Sequence, residues 1–197
     1  MPQYDEGNKM VKKSISQNAI LNIFTTLLRV VFPLITFPYV SRVLQVENLG
    51  KVNYAISIIS YYALFAALGI STYAVREGSR NRDNRAQTEQ FASQIFSINI
   101  LSTIGSYIAL ALSLIYVSKF RDYTLLLIIE STTIIFTTLG VDWINIIYED
   151  YTYIAIRSFI VQIISLVSLF LFVHRASDYY IYAIITVANQ GIISILN

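Results

Sequence analysis

The sequence predicts an all-α integral membrane protein, and three observations lead to that fold class. Of its 197 residues, 55% are hydrophobic and only 13% are charged, which is about half the charged fraction of a soluble domain. The mean hydropathy is +0.58. The apolar residues are gathered into stretches of about 20 residues, the helical length that crosses a hydrocarbon core. None of these stretches alternates with a period of two, so membrane β-strands are not predicted.

Six stretches are long and apolar enough to cross a membrane as helices, and the short segments between them carry most of the charged residues. The predicted spans are residues 16–40, 53–73, 91–117, 123–147, 154–173 and 179–196. We assign residues 1–13 to a cytoplasmic amino-terminal segment and residues 14–197 to one six-transmembrane-helix bundle. The last span ends with almost no polar flank, so we expect the bundle to be truncated at its carboxyl end.

The composition also excludes several functional classes. The chain has no Cys and a single His, so it offers no disulfide framework and no thiolate nucleophile. Sequence motifs of serine hydrolases, zinc proteases and phosphate-binding loops are absent. The net charge of +2 does not indicate a nucleic-acid partner. We therefore predict no enzymatic activity, no catalytic residue, no metal site, no organic cofactor and no nucleic-acid partner.

The distribution of Lys and Arg in the short loops predicts the orientation. An orientation with the amino terminus in the cytoplasm places more of these residues on the cytoplasmic side, where Arg157 is counted together with the basic segment 76–85. Both termini are then cytoplasmic. The segment 76–85 could bind anionic head groups or phosphate, and it could also be a solvated loop that only fixes the topology.

Polar residues line one face of the first predicted span. They recur at steps of three and four, which is helical spacing: Asn18, Asn22, Thr25, Arg29, Pro33 and Thr36. A charge at the mid-membrane depth of Arg29 costs at least about 2.5–3.5 kcal/mol if it meets lipid. Arg29 is therefore expected to face a water-filled cavity or a carboxylate partner, although snorkelling or a purely structural ion pair would also satisfy it. Pro33 and Pro38 each remove a backbone donor and are predicted to kink the helix.

The fourth predicted span supplies two candidate carboxylates, Glu130 and Asp142. Opposite charges inside one bundle can form a proton or ion relay, or they can simply pair. For Glu130 a structural pair is the alternative to a functional role, and for Asp142 it is solvation at the membrane interface. Together with Arg29, Asn22 and Thr25, these two residues are our candidates for the lining of a substrate path.

Three segments resemble a known family. They are residues 32–44 (FPLITFPYVSRVL), residues 47–54 (ENLGKVNY) and residues 68–77 (LGISTYAVRE). Together they resemble the amino-terminal lobe of polysaccharide biosynthesis proteins, the Wzx-type flippases of the multidrug/oligosaccharidyl-lipid/polysaccharide (MOP, MATE-like) superfamily. The resemblance covers about residues 13–102, and Gln45 stands where the family usually has Gly.

The resemblance implies a function. Such proteins move undecaprenyl-pyrophosphate-linked oligosaccharides for O-antigen, capsule or exopolysaccharide synthesis across the bacterial or archaeal cytoplasmic membrane. They work by alternating access between two lobes, with H⁺ or Na⁺ as the expected coupling ion. Arg29 would attract pyrophosphate or acidic sugars, whereas Arg42 and Arg76 belong to the matching motifs but lie at helix ends. The implied partners are the lipid-linked glycan, membrane lipids, a second lobe or second copy, and glycan polymerase machinery.

Two other hypotheses stay open at this point. One is a multidrug exporter of the same superfamily, which binding of cationic amphiphiles would reveal and which a basic cavity disfavours by charge. The other is an inactive membrane fragment or an assembly factor of the glycan pathway.

Overall fold

A computed structural model describes residues 15–81, 84–148 and 150–196, so the predicted amino-terminal segment 1–13 lies outside the described residues. Every regular element within those ranges is helical. Two short 3-10 turns, Ser118–Tyr123 and Ala176–Asp178, accompany seven α-helices: α1 (Ile15–Ala67), α2 (Ile70–Asn81), α3 (Arg85–Tyr116), α4 (Thr124–Leu139), α5 (Asp142–Ile147), α6 (Tyr151–Phe172) and α7 (Tyr179–Ile195).

Four helical stretches in the described residues are long and apolar enough to cross a membrane. They are Ala19–Arg80, Ala86–Tyr116, Ser118–Ile147 and Tyr151–Phe172. The all-helical membrane class agrees with the prediction, but the number of such stretches is four where the sequence predicted six spans. The difference arises because the first stretch contains both of the first two predicted spans, and because α7 has only 17 residues.

Helix α1 is divided at Gln45, whose φ of 64° and ψ of 162° are not helical. We call residues 15–44 the first limb and residues 46–67 the second limb. The first limb runs alongside α6, because the Phe24 ring faces the Phe159 ring and the Tyr39 hydroxyl donates to the carbonyl of Val173 at 2.7 Å. The second limb packs on α3 and α4 instead.

Pro33 and Pro38, the two predicted kink sites, lie in helical backbone, unlike Gln45. Pro33 and Pro38 both lie inside the first limb, and the residue with non-helical φ and ψ angles in α1 is Gln45. The fixed φ of proline is itself compatible with a helix, but each proline removes one backbone hydrogen bond, so a kink at Pro33 or Pro38 stays a prediction. Thr36 lies between the two prolines, and its hydroxyl donates to the carbonyl of Phe32 at 3.1 Å.

The break at Gln45 lies at one end of the bundle, which we call the elbow end. There Asn48 Nδ2 donates to the carbonyl of Ala176 at 2.8 Å, and the rings of Tyr54 and Tyr123 lie 4.9 Å apart. Both 3-10 turns are therefore at the elbow end. In the second of them, the backbone N–H groups of His174 and Arg175 donate to Asp178, and they hold the pKa of that carboxyl below its usual value.

The opposite end, which we call the α2 end, contains α2, α5 and the start of α6. Ala74 of α2, Ile95 of α3 and Ile147 of α5 form a buried cluster with Trp143. The Tyr153 hydroxyl, near the start of α6, donates to the carbonyl of Leu196. The two limbs, α3, α4, α6 and α7 all run between the two ends, so successive long segments alternate in direction.

The largest apolar cluster joins the second limb, α3, α4 and α7. It includes Ile59, Leu110, Leu127, Ile134 and Ala183, all of them buried. Large apolar side chains also cover the outer surface of the described bundle. An exposed apolar surface of this extent is typical of helices that face lipid.

Two interruptions divide elements that the sequence predicted as continuous. Leu68 and Gly69, with φ of 46° and 67°, separate α1 from α2 inside the predicted span 53–73. Gly140 ends α4 inside the predicted span 123–147, and its N–H bonds to the carbonyl of Phe136 at 2.8 Å. Asp142 consequently belongs to the separate short helix α5.

Candidate functional site

Most of the buried polar side chains in the described residues lie on α4, α6 and α7. We call this group the polar layer, and its members are Glu130, Ser131, Thr138, Arg157, Ser158, Gln162, Ser165 and Ser194. Helix α7 packs against both α4 and α6, so it lies between the other two helices of the layer. In a membrane, polar atoms are directed towards protein or water because lipid cannot satisfy their hydrogen bonds.

Helices α4 and α7 approach each other closely at Gly191. A Cβ atom at this position would lie 2.6 Å from the ring of Phe136, so the contact depends on the missing side chain. Gly140 plays a similar part at the end of α4, because a Cβ atom there would lie 3.2 Å from Ser194 Oγ. These two glycines bring the polar faces of α4 and α7 together.

Glu130 lies on α4 where that helix meets α7. The residue is only 3% exposed, and Thr186 and Tyr182 of α7 lie beside the carboxyl group. The Oε1 atom has no hydrogen-bond partner among the described residues. An ionised carboxylate without a charged partner costs several kcal/mol in surroundings of this kind. Glu130 is therefore a buried carboxyl group with one oxygen atom that has no partner among the described residues.

Asp142 forms an ion pair with Arg157 at the α2 end, between Asp142 Oδ1 and Arg157 Nη2. The Arg157 side chain is 3% exposed and that of Asp142 is 38% exposed. Arg157 also approaches the carbonyl of Leu196 at 3.5 Å and lies 5.5 Å from the centre of the Tyr153 ring. The pair thus connects α5, α6 and the end of α7.

Arg157 is the residue of this site that the sequence analysis missed. The sequence predicts Arg157 as a charge on the cytoplasmic side, but the structure places it in the second turn of α6 and buries it. The available signal was its position three residues inside the predicted span 154–173. Asp142 lies on a different helix, across the break between α5 and α6, so no helical spacing in the sequence links the two residues.

The remaining predicted residues are distributed along the bundle. On the first limb, Asn22 is exposed, whereas Thr25 is buried and its hydroxyl donates to the carbonyl of Leu21 at 2.9 Å. The backbone of Arg29 is helical, but its side chain lies outside the described part of the chain. The two motif arginines are both exposed, Arg42 near the elbow end and Arg76 on α2.

The structure does not join the two predicted carboxylates into one site. Glu130 faces α7, whereas Asp142 pairs with α6 at the α2 end. A groove between α6 and α7, lined by Ser165, Ser168 and Asn189 among apolar residues, extends the polar layer towards the outer surface. The described residues contain no group of three or more His, Cys, Asp or Glu side chains that could hold a metal ion.

An all-helical chain with long apolar stretches, an apolar outer surface and a buried polar layer is a multi-pass membrane protein. The polysaccharide biosynthesis protein family matches residues 15–196. The chain belongs to this family, which is that of the Wzx-type flippases of the MOP superfamily, and the resemblance carried by its motifs is confirmed. Comparisons with curated proteins and with solved structures gave no significant match.

Proposed function

We propose that this chain forms a transmembrane bundle of a flippase that moves undecaprenyl-pyrophosphate-linked oligosaccharide repeat units. The movement is from the cytoplasmic to the outer leaflet of a bacterial or archaeal cytoplasmic membrane. The observation that carries the proposal is the family match over residues 15–196, because it covers nearly the whole chain. No step of this activity requires a catalytic residue, since the glycan crosses the membrane without covalent change.

The proposed bundle crosses the membrane six times, with both termini in the cytoplasm. A straight helix with the 53 residues of α1 would be about 80 Å long, far more than a hydrocarbon core of about 30 Å. The break at Gln45 makes two crossings of α1, and α7, at about 26 Å, provides the sixth. The alternating direction of the long segments supports this arrangement.

Transport by alternating access needs two bundles around a shared site. We therefore propose that this bundle works with a second one, supplied by another lobe or by a second copy of the chain. In this arrangement, the face of the first limb that carries Asn22, Thr25 and Arg29 lines the substrate path. Arg29 attracts the pyrophosphate or the acidic sugars of the substrate through its positive charge.

Glu130 is the proposed site of ion coupling, with H⁺ or Na⁺ as the ion. The support is its burial between α4 and α7 and its unpartnered Oε1 among the described residues. A carboxyl that is neutral or ion-bound in one state and hydrated in the other would couple the two transport states to an ion gradient.

The test is glycan export in cells that depend on the whole protein. Arg29→Ala is expected to abolish export while leaving the membrane level of the protein near normal. Arg121→Ala, which removes the same charge from an exposed position at the elbow end, is the matched control. Rescue by Arg29→Lys would indicate bulk charge rather than bidentate recognition. Normal glycan export by the Arg29→Ala variant would contradict the proposed role of Arg29 in the substrate path. Efflux of cationic amphiphiles instead of glycan would indicate a multidrug exporter.

A further inference from the structure

Helix α2 carries an exposed stripe whose role the flippase proposal does not explain. Tyr73, Arg76 and Arg80 are spaced at i, i+3 and i+7 and are all exposed, so they share one face. The opposite face buries Ala74 and Gly78 against the neighbouring helices. α2 is therefore an amphipathic helix with a basic outer face.

The stripe is held in a fixed orientation by close packing beneath it. Ala74 is fully buried in the cluster with Ile95 and Trp143. A Cβ atom at Gly78 would lie 2.2 Å from the end of the Ile147 side chain, so the missing side chain lets α2 approach α5. The basic face thus points away from the bundle as a consequence of the packing.

The aromatic residues near the stripe indicate its depth relative to a bilayer. Tyr73, Phe91 and Trp143 form a chain of ring contacts at 6.0 and 6.4 Å at the α2 end. Tyr and Trp side chains concentrate at the interfaces of a bilayer, so this aromatic group marks the interface at the α2 end. Arg76 follows Tyr73 by about one helical turn on the same face, which brings its charge to the level of the lipid head groups in this arrangement.

The charge of Arg76 has no carboxylate within ion-pair distance among the described residues. Its guanidinium instead lies 6.0 Å from the centre of the Tyr73 ring. Arg80 differs, because its Nη1 lies 3.2 Å from Glu77 Oε2. Among the described residues, the stripe therefore presents one guanidinium without a carboxylate partner, over the Tyr73 ring. A guanidinium binds phosphate oxygens in a bidentate manner.

We propose that Arg76, with Tyr73 and Arg80 beside it, binds the phosphate of an anionic phospholipid head group in the leaflet at the α2 end. This interaction is separate from glycan transport. It anchors helix α2 at the membrane surface and makes the stability of the bundle depend on the lipid composition.

The experiment compares the full chain in nanodiscs of phosphatidylcholine alone and in nanodiscs with increasing phosphatidylglycerol. Phosphatidylglycerol is expected to raise the unfolding temperature in a saturable way, and native mass spectrometry is expected to show retained phosphatidylglycerol. Arg76→Gln should weaken the apparent affinity for this lipid about five-fold. Arg121→Gln, an exposed arginine at the elbow end, is the matched control and should keep the wild-type response.

Three results would overturn the proposal. If Arg76→Gln and Arg121→Gln weaken the apparent affinity for phosphatidylglycerol equally, the lipid is attracted by the overall charge and not by a site at Arg76. An unchanged response in Arg76→Gln would mean that this residue takes no part. The same stabilisation by inorganic phosphate in phosphatidylcholine nanodiscs, lost in Arg76→Gln, would mean a site for free phosphate. If Arg76→Gln fails to fold, Arg76→Lys and the response of the wild-type protein to added salt replace it, because screening should weaken a head-group contact.

Discussion

Asp142 and Arg157 show how an ion pair with one buried member constrains single residues. Each charge is expensive to remove from water, and the pair is favourable mainly because each charge meets the other. An apolar pair of similar volume often replaces such ions without loss of stability. The Arg157–Asp142 contact is therefore better regarded as a constraint on which residues can occupy these positions than as a large net source of stability.

The first prediction concerns this pair. Asp142→Asn removes a counter-charge from a buried guanidinium, and we expect a loss of about 1–3 kcal/mol in the free energy of unfolding, since Asp142 is partly exposed. Thermal or denaturant unfolding in detergent would measure it. Asp122→Asn on the exposed 3-10 turn is the control and should change stability by less than about 0.5 kcal/mol. The double variant Asp142→Leu/Arg157→Met should recover most of the loss, and a further loss would contradict this account.

The second prediction concerns Glu130. Glu130→Gln keeps the shape of the side chain and removes its titration, so the protein should fold and reach the membrane at the normal level. Glycan export should then stop responding to an imposed proton or sodium gradient, as measured in vesicles. Glu47→Gln, at an exposed carboxylate near the elbow end, is the control. A wild-type gradient response in Glu130→Gln would exclude this residue from ion coupling.

At the scale of elements, the Gln45 backbone is the most unusual feature of the described chain. Its φ of 64° with ψ of 162° falls in a region that is essentially restricted to glycine. The resemblance to the family places a glycine at this position, where this chain has Gln45. The structure explains why glycine suits this position, because the two limbs of α1 are joined by a backbone conformation that glycine adopts without steric cost.

The third prediction follows from that strain. Gln45→Gly should raise the free energy of unfolding by about 1 kcal/mol or more, since glycine adopts this conformation without the steric cost of a Cβ atom. Gln45→Ala retains the Cβ atom and is the matched control, so it should give no gain. Unfolding of both variants in the same detergent would compare them. Equal stabilities would show that the elbow stores no strain.

The elements themselves were largely predictable, whereas their interruptions were not. The length of each apolar run was enough to locate the long helical stretches. A bilayer requires each crossing helix to be apolar over about 20 residues and to satisfy its own backbone hydrogen bonds. The breaks at Gln45, Leu68 and Gly140 depend on how neighbouring helices pack, which a single sequence does not display. Arg157 is a similar case, since its burial follows from the meeting of α5, α6 and α7.

At the scale of the whole molecule, the bundle has two distinct ends joined by segments that alternate in direction. The elbow end has tight turns and aromatic contacts, and the α2 end has the short helices and the buried ion pair. Under the proposed topology, the elbow end faces the outside of the cell and the α2 end faces the cytoplasm.

The fourth prediction tests this topology and uses the absence of native cysteine in the chain. Val46→Cys, at the highly exposed elbow, should react with a membrane-impermeant maleimide added to intact cells. Ser79→Cys, at an exposed position on α2, should react only after the membrane is permeabilised. The reverse pattern would invert the orientation. Reaction of both residues from outside would contradict a crossing between them.

The way in which the first limb is attached has a mechanical consequence. Val40 and Leu44, next to the elbow, are almost completely buried, whereas most side chains further from the elbow are exposed and Thr25 is one of the few buried there. Apart from Thr25 and the contact between the Phe24 and Phe159 rings, the first limb is held mainly near the elbow. With a length of about 45 Å, a rotation of about 10° at Gln45 would move its free end by roughly 8 Å. Small backbone changes at the elbow are thereby amplified at the level of Asn22.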